Sequence, residues 1–232
     1  KIPYDKINEI FNSQAAKRRR LAENPKFRGS SARRQRQSER PTPFTATATK
    51  GNIMKILAIT GSPRRRGNSS RLADEFIAGA EESGCEVIRF DAAFKKIHPC
   101  VACEKCHSGD GGCAFKDDMQ ELNPHLLEAD GVVFASPIYY YGMNSQIRSV
   151  IDRFYANDAA LHVPKKTALL LSFADDTLES AKGAIASYRG MANFLGWKDA
   201  GVVAAKGCHA AGDVDNTEYL KEARRLGRNF AK

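Results

Sequence analysis

Three stretches of this chain bring together residue types that do chemistry. The first is Gly61-Ser62-Pro63-Arg64-Arg65-Arg66-Gly67-Asn68-Ser69-Ser70. Hydroxyls of Ser62, Ser69 and Ser70, the Asn68 amide, the guanidinium groups of Arg64 to Arg66 and the free N–H groups of a helix start all favour a bound phosphate. The segment lacks the G-x-G-x-x-G spacing of dinucleotide folds and the G-x-x-x-x-G-K-[ST] of nucleotide triphosphatases, so one terminal phosphate fits better than a pyrophosphate. A merely polar turn is the plain alternative.

The second stretch is Ser136-Pro137-Ile138-Tyr139-Tyr140-Tyr141-Gly142-Met143-Asn144. Its tyrosine faces can pack on a planar ring, although such residues taken alone are more often core or subunit-interface groups. The third is Cys100-x2-Cys103-x2-Cys106-x6-Cys113. Four thiols this close together point to metal or redox chemistry rather than a disulfide framework. They suit a [4Fe–4S] cluster, with a four-cysteine zinc site and a metal-free loop as the other readings, because spacing constrains the ligands but not the metal. His98 and His107 flank the cysteines as substitute ligands or, more plainly, as surface histidines. Cys85 and Cys208 read as small apolar fillers.

The elements that must position these residues alternate between strand and helix. Ile53 to Ile59, Val132 to Ala135 and Ala168 to Leu171 are compact apolar runs expected of central parallel strands, and Val202 to Ala205 supplies another. Cys85 to Asp91 alternates apolar with polar and reads as a half-exposed edge strand. Helices are expected from Ser69 or Ser70 to Gly84, over Met119 to Glu128, Gln146 to Tyr155, Leu178 to Leu195 and Thr217 to Phe230. Asp118 and Glu121 resemble a capping box for the second helix, which Pro124 should kink or shorten. The pattern predicts an α/β three-layer sandwich around a five-stranded parallel sheet of order 2-1-3-4-5. In that order the first and third strands flank the switch point where ligands bind. The serine–arginine loop and the tyrosine loop then become two walls of one crevice. Ser172 to Thr177 opens onto the same edge, where its aspartates either contact the ligand or cap a helix.

The chain resembles the NADPH-dependent FMN reductase and iron–sulfur flavoprotein group of the flavodoxin-like superfamily from Met54 to about Lys232. The resemblance is carried by Gly61-Ser62-Pro63-Arg64 with Gly67-Asn68-Ser69, the three cysteines from Cys100 to Cys106, Asp117-Asp118-Met119, Ala129-Asp130, Ser136-Pro137-Ile138-Tyr139 and Ile151-Asp152-Arg153. It implies FMN, with Ser62, Arg64, Asn68, Ser69 and Ser70 at the phosphate and Pro137, Ile138, Tyr139, Tyr140, Tyr141 and Gly142 around the isoalloxazine. It implies homodimers or homotetramers, and the family's iron–sulfur branch has similar cysteine spacing. The expected function is an NAD(P)H-dependent FMN-containing oxidoreductase reducing a quinone, flavin or other small-molecule acceptor. The alternative is an electron carrier in which FMN and a cluster on Cys100, Cys103, Cys106 and Cys113 relay electrons between partners, with a ferredoxin-like protein as donor.

Charge separates the chain into two parts. The net charge is +9, and residues 1–53 account for all of it, with 13 Lys/Arg against 4 Asp/Glu. The domain from residue 54 onward is balanced, so nucleic acid is not its expected partner; only the basic arm raises that third reading. Residues 14–50 are rich in Arg, Ser, Thr and Pro and are expected to stay disordered. The arm is Arg-rich like a transit peptide, but sequence carried over from upstream of a start at Met54 is the preferred reading. No stretch nears the roughly 18 apolar residues of a membrane span, and a cytoplasmic protein is expected.

Overall fold

Side chains that alternate along three central strands build this fold outward from one sheet. The computed structural model describes residues 53–108 and 112–232; the expectations for the basic arm lie outside the described residues. The strands are β1 (Lys55–Thr60), β2 (Glu86–Asp91), β3 (Gly131–Tyr139), β4 (Gly142–Met143), β5 (Lys166–Ser172) and β6 (Lys198–Ala205). The helices are α1 (Asn68–Glu82), α2 (Met119–Glu128), α3 (Ser145–Asp152), the single turn α4 (Asp158–Leu161), α5 (Glu179–Leu195) and α6 (Glu218–Phe230). The sheet runs β2-β1-β3-β5-β6 with every neighbour parallel, while β4 pairs antiparallel with the end of β3. With β4 set aside this is the expected order, and the fold is flavodoxin-like.

Period-two alternation sends successive residues to opposite faces. Leu57 and Ile59, Val132 and Phe134, and Leu169 and Leu171 join one apolar core with residues of α2, α3 and α5. Ile56, Val133, Ala135, Ala168 and Leu170 join a second core with α1 and α6. Helices on both faces leave the central strands no solvent-facing side, which is why they read as apolar runs. On the second face α1 and α6 touch backbone to backbone. A Cβ on Gly79 would stand 2.1 Å from the Arg224 carbonyl oxygen, and one on Gly227 would stand 2.1 Å from that of Phe76.

Two expectations for helix ends turn out differently. α2 has no side-chain cap from Asp118. That carboxylate accepts instead from the Lys96 N–H at 2.7 Å, and Asp117 accepts from the Met119 N–H at 3.2 Å. Glu121 pairs with Lys95 rather than reaching back to the cap. The reason is that the cysteine-bearing loop returns past the helix start, and its own unpaired N–H groups take the carboxylates. Pro124 neither ends nor shortens α2, which continues to Glu128 as expected from the apolar spacing. At the end of α1, Gly84 adopts φ +81° and its N–H donates to the Glu81 carbonyl, as a glycine closing a helix should. Among the described residues no helix is long and apolar enough to cross a membrane.

Candidate functional site

The rim at the carboxyl ends of β1 and β3 is built by two loops fastened to each other. The Gly61 N–H donates to the Ala135 carbonyl at 2.9 Å, continuing the β1–β3 ladder by one residue past β1. The Asn144 side-chain amide then donates to the Gly61 carbonyl, and Asn144 also accepts from the Ser136 hydroxyl at 3.0 Å. Asn144 is 1% exposed, so these bonds form away from water, where losing one costs most. Gly61 is required there, since a Cβ would come within 2.2 Å of Asn144 Oδ1. The two stretches that the sequence placed on one crevice therefore meet in the structure.

On one wall, Ser62 accepts from the Arg64 N–H at 3.1 Å and closes a tight turn. Gly67 precedes α1 with no side-chain cap, and a Cβ at Gly67 would meet Ser62 Oγ at 2.7 Å. The first N–H groups of a helix have no intrahelical partner, so this uncapped end offers a concave set of donors. Ser69 and Ser70 are buried at that end, and Arg64 is exposed beside it. Asn68 is turned elsewhere: its amide donates to the Ala210 carbonyl at 2.7 Å and accepts from the Gly212 N–H at 3.0 Å. That side chain ties the loop after β6 to the helix start. Arg65 lies 4.0 Å over the Phe94 ring, away from the turn. Gly212 and the Asn68 contact were not singled out from sequence; only the glycine-containing loop after the last strand hinted at them.

The opposite wall is a two-residue hairpin. Tyr139 pairs with Gly142 across Tyr140 and Tyr141, and both turn residues have positive φ, +47° and +65°. A left-handed conformation costs a non-glycine residue about 1–2 kcal/mol, and turns of this kind normally use Asn or Gly. Tyr140 is fully exposed, Tyr141 mostly so and Tyr139 half-exposed, so no core burial of the two turn residues offsets the strain within the chain. The Tyr141 carbonyl packs on Gly183 of α5, where a Cβ would stand 2.7 Å away. Pro137 and Ile138 lead into the hairpin from β3 and are half-buried. In the Ser172–Thr177 loop, Asp175 accepts from the Ser180 hydroxyl in the first turn of α5, but α5 has no side-chain cap, so the capping expected of these aspartates is not made.

A separate recess follows β2. Cys100, Cys103, Cys106 and Cys113 all line it, together with Phe115, Arg153 and Tyr155. All four are free thiols. Ala102 and Glu104 take positive φ, +51° and +58°, bending the loop so that the cysteines face inward. Burial, and the proximity of Cys113, Glu104 and Cys103, push the Cys106 thiol up. Among the described residues no three Cys, His, Asp or Glu side chains converge on a position for one metal ion. His98 and His107 do not line the recess: His98 stacks on Phe115 at 3.9 Å, and His107 bonds the Tyr155 carbonyl at 2.9 Å. Cys85 and Cys208 are buried in the second core, and burial raises both thiols.

Arg153 anchors this recess. One guanidinium nitrogen donates to the His98 carbonyl at 2.8 Å and to Asp117 at 2.7 Å, and the other donates to Asp117 at 3.1 Å. Burial pushes the Asp117 carboxyl up, but hydrogen bonds from Arg153 and from the His98 and Met119 N–H groups outweigh it and hold it below the usual range. Asp117 and Arg153 stood in the sequence only as parts of motifs, because a pair 36 residues apart gives no local signal.

A family model described as NADPH-dependent FMN reductase matches residues 54–206. The chain is 41% identical over 100 residues to an iron–sulfur flavoprotein of Archaeoglobus fulgidus, covering 43% of this chain and 45% of that one. It is 36% identical over 100 residues to iron–sulfur flavoprotein MJ1083 of Methanocaldococcus jannaschii, covering 43% of this chain and 51% of that one. The chain thus spans about half the length of the curated relatives it matches. An NAD(P)H:quinone oxidoreductase from Methanothermobacter marburgensis superposes with a TM-score of 0.62 at 19% identity, covering 78% of this chain and 98% of that one, a likeness of fold.

Proposed function

Because the chain belongs to the NADPH-dependent FMN reductase family, we propose that it holds FMN between its two fastened loops and passes electrons through it from NAD(P)H to a small-molecule acceptor such as a quinone or flavin. The observation that carries this reading is the bond from Asn144 to the Gly61 carbonyl, which joins a phosphate-type turn to an aromatic hairpin at one sheet rim. The donor set fits the group. Ser69 and Arg64, with the uncapped N–H groups from Asn68 onward, supply neutral and cationic donors for one phosphate, and the Ser62 and Ser70 hydroxyls, which donate to the Arg64 carbonyl at 3.1 and 3.3 Å, would turn to join them. Asn68 acts there through its backbone, its side chain being engaged with the 210–212 segment. Pro137, Ile138, Tyr139, Tyr140, Tyr141 and Gly142 would border the ring, and the exposed tyrosines would gain a planar surface to cover. When bound, FMN supplies hydride acceptance and the release of electrons singly or in pairs. The chain's part is to orient the ring and to keep water from one of its faces.

Titrating the purified chain with FMN tests this: fluorescence quenching and a rise in Tm are expected. Rapid anaerobic bleaching of the flavin by NADPH or NADH is expected to follow. Absence of both quenching and thermal stabilisation sinks the proposal.

A second reading is supported by the four cysteines lining one recess, a ligand set that suits a [4Fe–4S] cluster. Cys100, Cys103, Cys106 and Cys113 would hold such a cluster, and the chain would exchange electrons with a ferredoxin-like partner. Iron and sulfide assays after anaerobic purification decide it, with Cys103→Ser expected to lose iron and keep FMN. Free thiols suit a reducing, cytoplasmic setting. A homodimer or homotetramer is supported by the three exposed tyrosines and is read by light scattering.

A further inference from the structure

We propose that Arg153 is a positioning residue for the cysteine recess, its Nε–H held ready to donate to a sulfur of the cluster, so that Arg153 sets how readily that cluster accepts an electron. The inference rests on the cluster reading above. Its starting point is an unpaired atom. The Arg153 side chain is 2% exposed, and its Nε is, among the described residues, the buried side-chain nitrogen or oxygen that has no hydrogen-bond partner. Native structures rarely leave such a donor unmet, and a charged one least of all, so it asks for an absent acceptor.

The rest of the guanidinium shows where that acceptor must lie. Both terminal nitrogens are engaged by Asp117, and one of them also by the His98 carbonyl. Those bonds fully account for an architectural role, joining the cysteine loop to the end of α3. They do not use Nε, which leaves the planar group along a different edge. Arg153 itself lines the recess, and the Cys113 sulfur lies beside the guanidinium as its nearest soft acceptor, favouring the charged form through charge and side-chain hydrogen bonding without meeting the geometry of a formed bond to Nε. The Arg153 charge also lies 5.3 Å from the Phe115 ring centre, so an aromatic wall and not water flanks it.

The chemistry of the pocket supplies an acceptor. Four thiolates and the inorganic sulfides of a cluster are soft, negatively charged acceptors, and hydrogen bonds to them together with net charge set the potential. Reduction would add one electron, given up by the reduced flavin, to the cluster, which would become one unit more negative with no bond broken in it. A fixed cation donating to sulfur stabilises that form more than the oxidised one. Arg153 therefore raises the potential, and Asp117, by holding both terminal nitrogens, keeps the donor from turning away.

The experiment uses the full chain purified anaerobically, with iron, sulfide and FMN measured first and the cluster then titrated by EPR. Arg153→Gln is expected to retain iron and FMN while its one-electron equilibrium shifts about tenfold toward the oxidised cluster, a fall of about 59 mV, with the FMN potential unmoved. An unchanged cluster potential in an iron-loaded variant overturns the inference and leaves the cluster reading intact. Wild-type protein without iron and sulfide overturns both. If the variant loses its fold or its iron, wild-type protein labelled with 15N-arginine carries the test. Pulsed EPR of the reduced cluster is expected to show coupling to a guanidinium nitrogen, and no coupling overturns the inference.

Discussion

Asn144, the residue that follows β4, donates its side-chain amide to the carbonyl of Gly61, the residue that follows β1. Two loops 83 residues apart in sequence are thereby set at one spacing before any ligand arrives. The same side chain holds Ser136, so one buried amide organises three backbone segments.

Asn144→Ala should leave the Gly61 carbonyl without its partner and free the hairpin from the phosphate-type turn. Losing one buried partner costs about 1–3 kcal/mol. A lower Tm and an FMN affinity weakened at least tenfold are expected, read by thermal melts and fluorescence titration. An unchanged FMN affinity would show that the tie does not shape the pocket.

Gly61→Ala places a methyl group against Asn144 Oδ1 and against Ile147 Cγ1, 2.4 Å away. Overpacking of this kind costs about 1–3 kcal/mol. The variant should melt earlier than wild type and bind FMN poorly, and its far-ultraviolet circular dichroism should be retained.

Tyr140→Gly removes a side chain that is fully exposed and relieves a positive φ. The ligand-free protein should gain about 1 kcal/mol, because no packing is lost and the left-handed strain disappears. FMN affinity should fall in the same variant. Stability and affinity moving in opposite directions would mark the strain as functional, whereas a joint loss would contradict it.

Glu82 on α1 receives hydrogen bonds from Arg224 and then Arg228 of α6, and these lower its carboxyl from 4.5 to about 2. A carboxyl held lower in the folded state than in the unfolded chain adds stability above the unfolded value and loses it as pH falls through the folded one. The Tm difference between wild type and Glu82→Gln should therefore be present at pH 6 and close between pH 4.5 and about 2. The pair is exposed, so added salt should shrink the difference at pH 6.

Gly227→Ala tests the closest helix crossing. Its methyl group would press on the Phe76 carbonyl, a backbone atom that can yield only if α1 and α6 separate. A destabilisation at the upper end of the overpacking range, about 3 kcal/mol, is expected in denaturant melts.

Much of this molecule was legible along the chain because its signals are local. Apolar runs such as Val132 to Ala135, a glycine after α1, and a serine-rich turn between strand and helix each report on their own backbone. Five parallel strands in the order observed, the facing of the two loops and the grouping of four cysteines follow from such patterns. The capping box did not, because Asp118 found the Lys96 N–H across a loop that no local pattern describes.

What the sequence determined by itself was where the five main strands and the five longer helices form, and which residue types arrive at the sheet's carboxyl rim. Tertiary structure alone decided the partners: Asn144 for Gly61, the 210–212 segment for Asn68, Asp117 for Arg153, and the backbone of α6 for Gly79. The physical reason is that periodicity and turn preference act between neighbours a few residues apart, whereas a side chain's partner is fixed only when packing brings distant segments within hydrogen-bond reach.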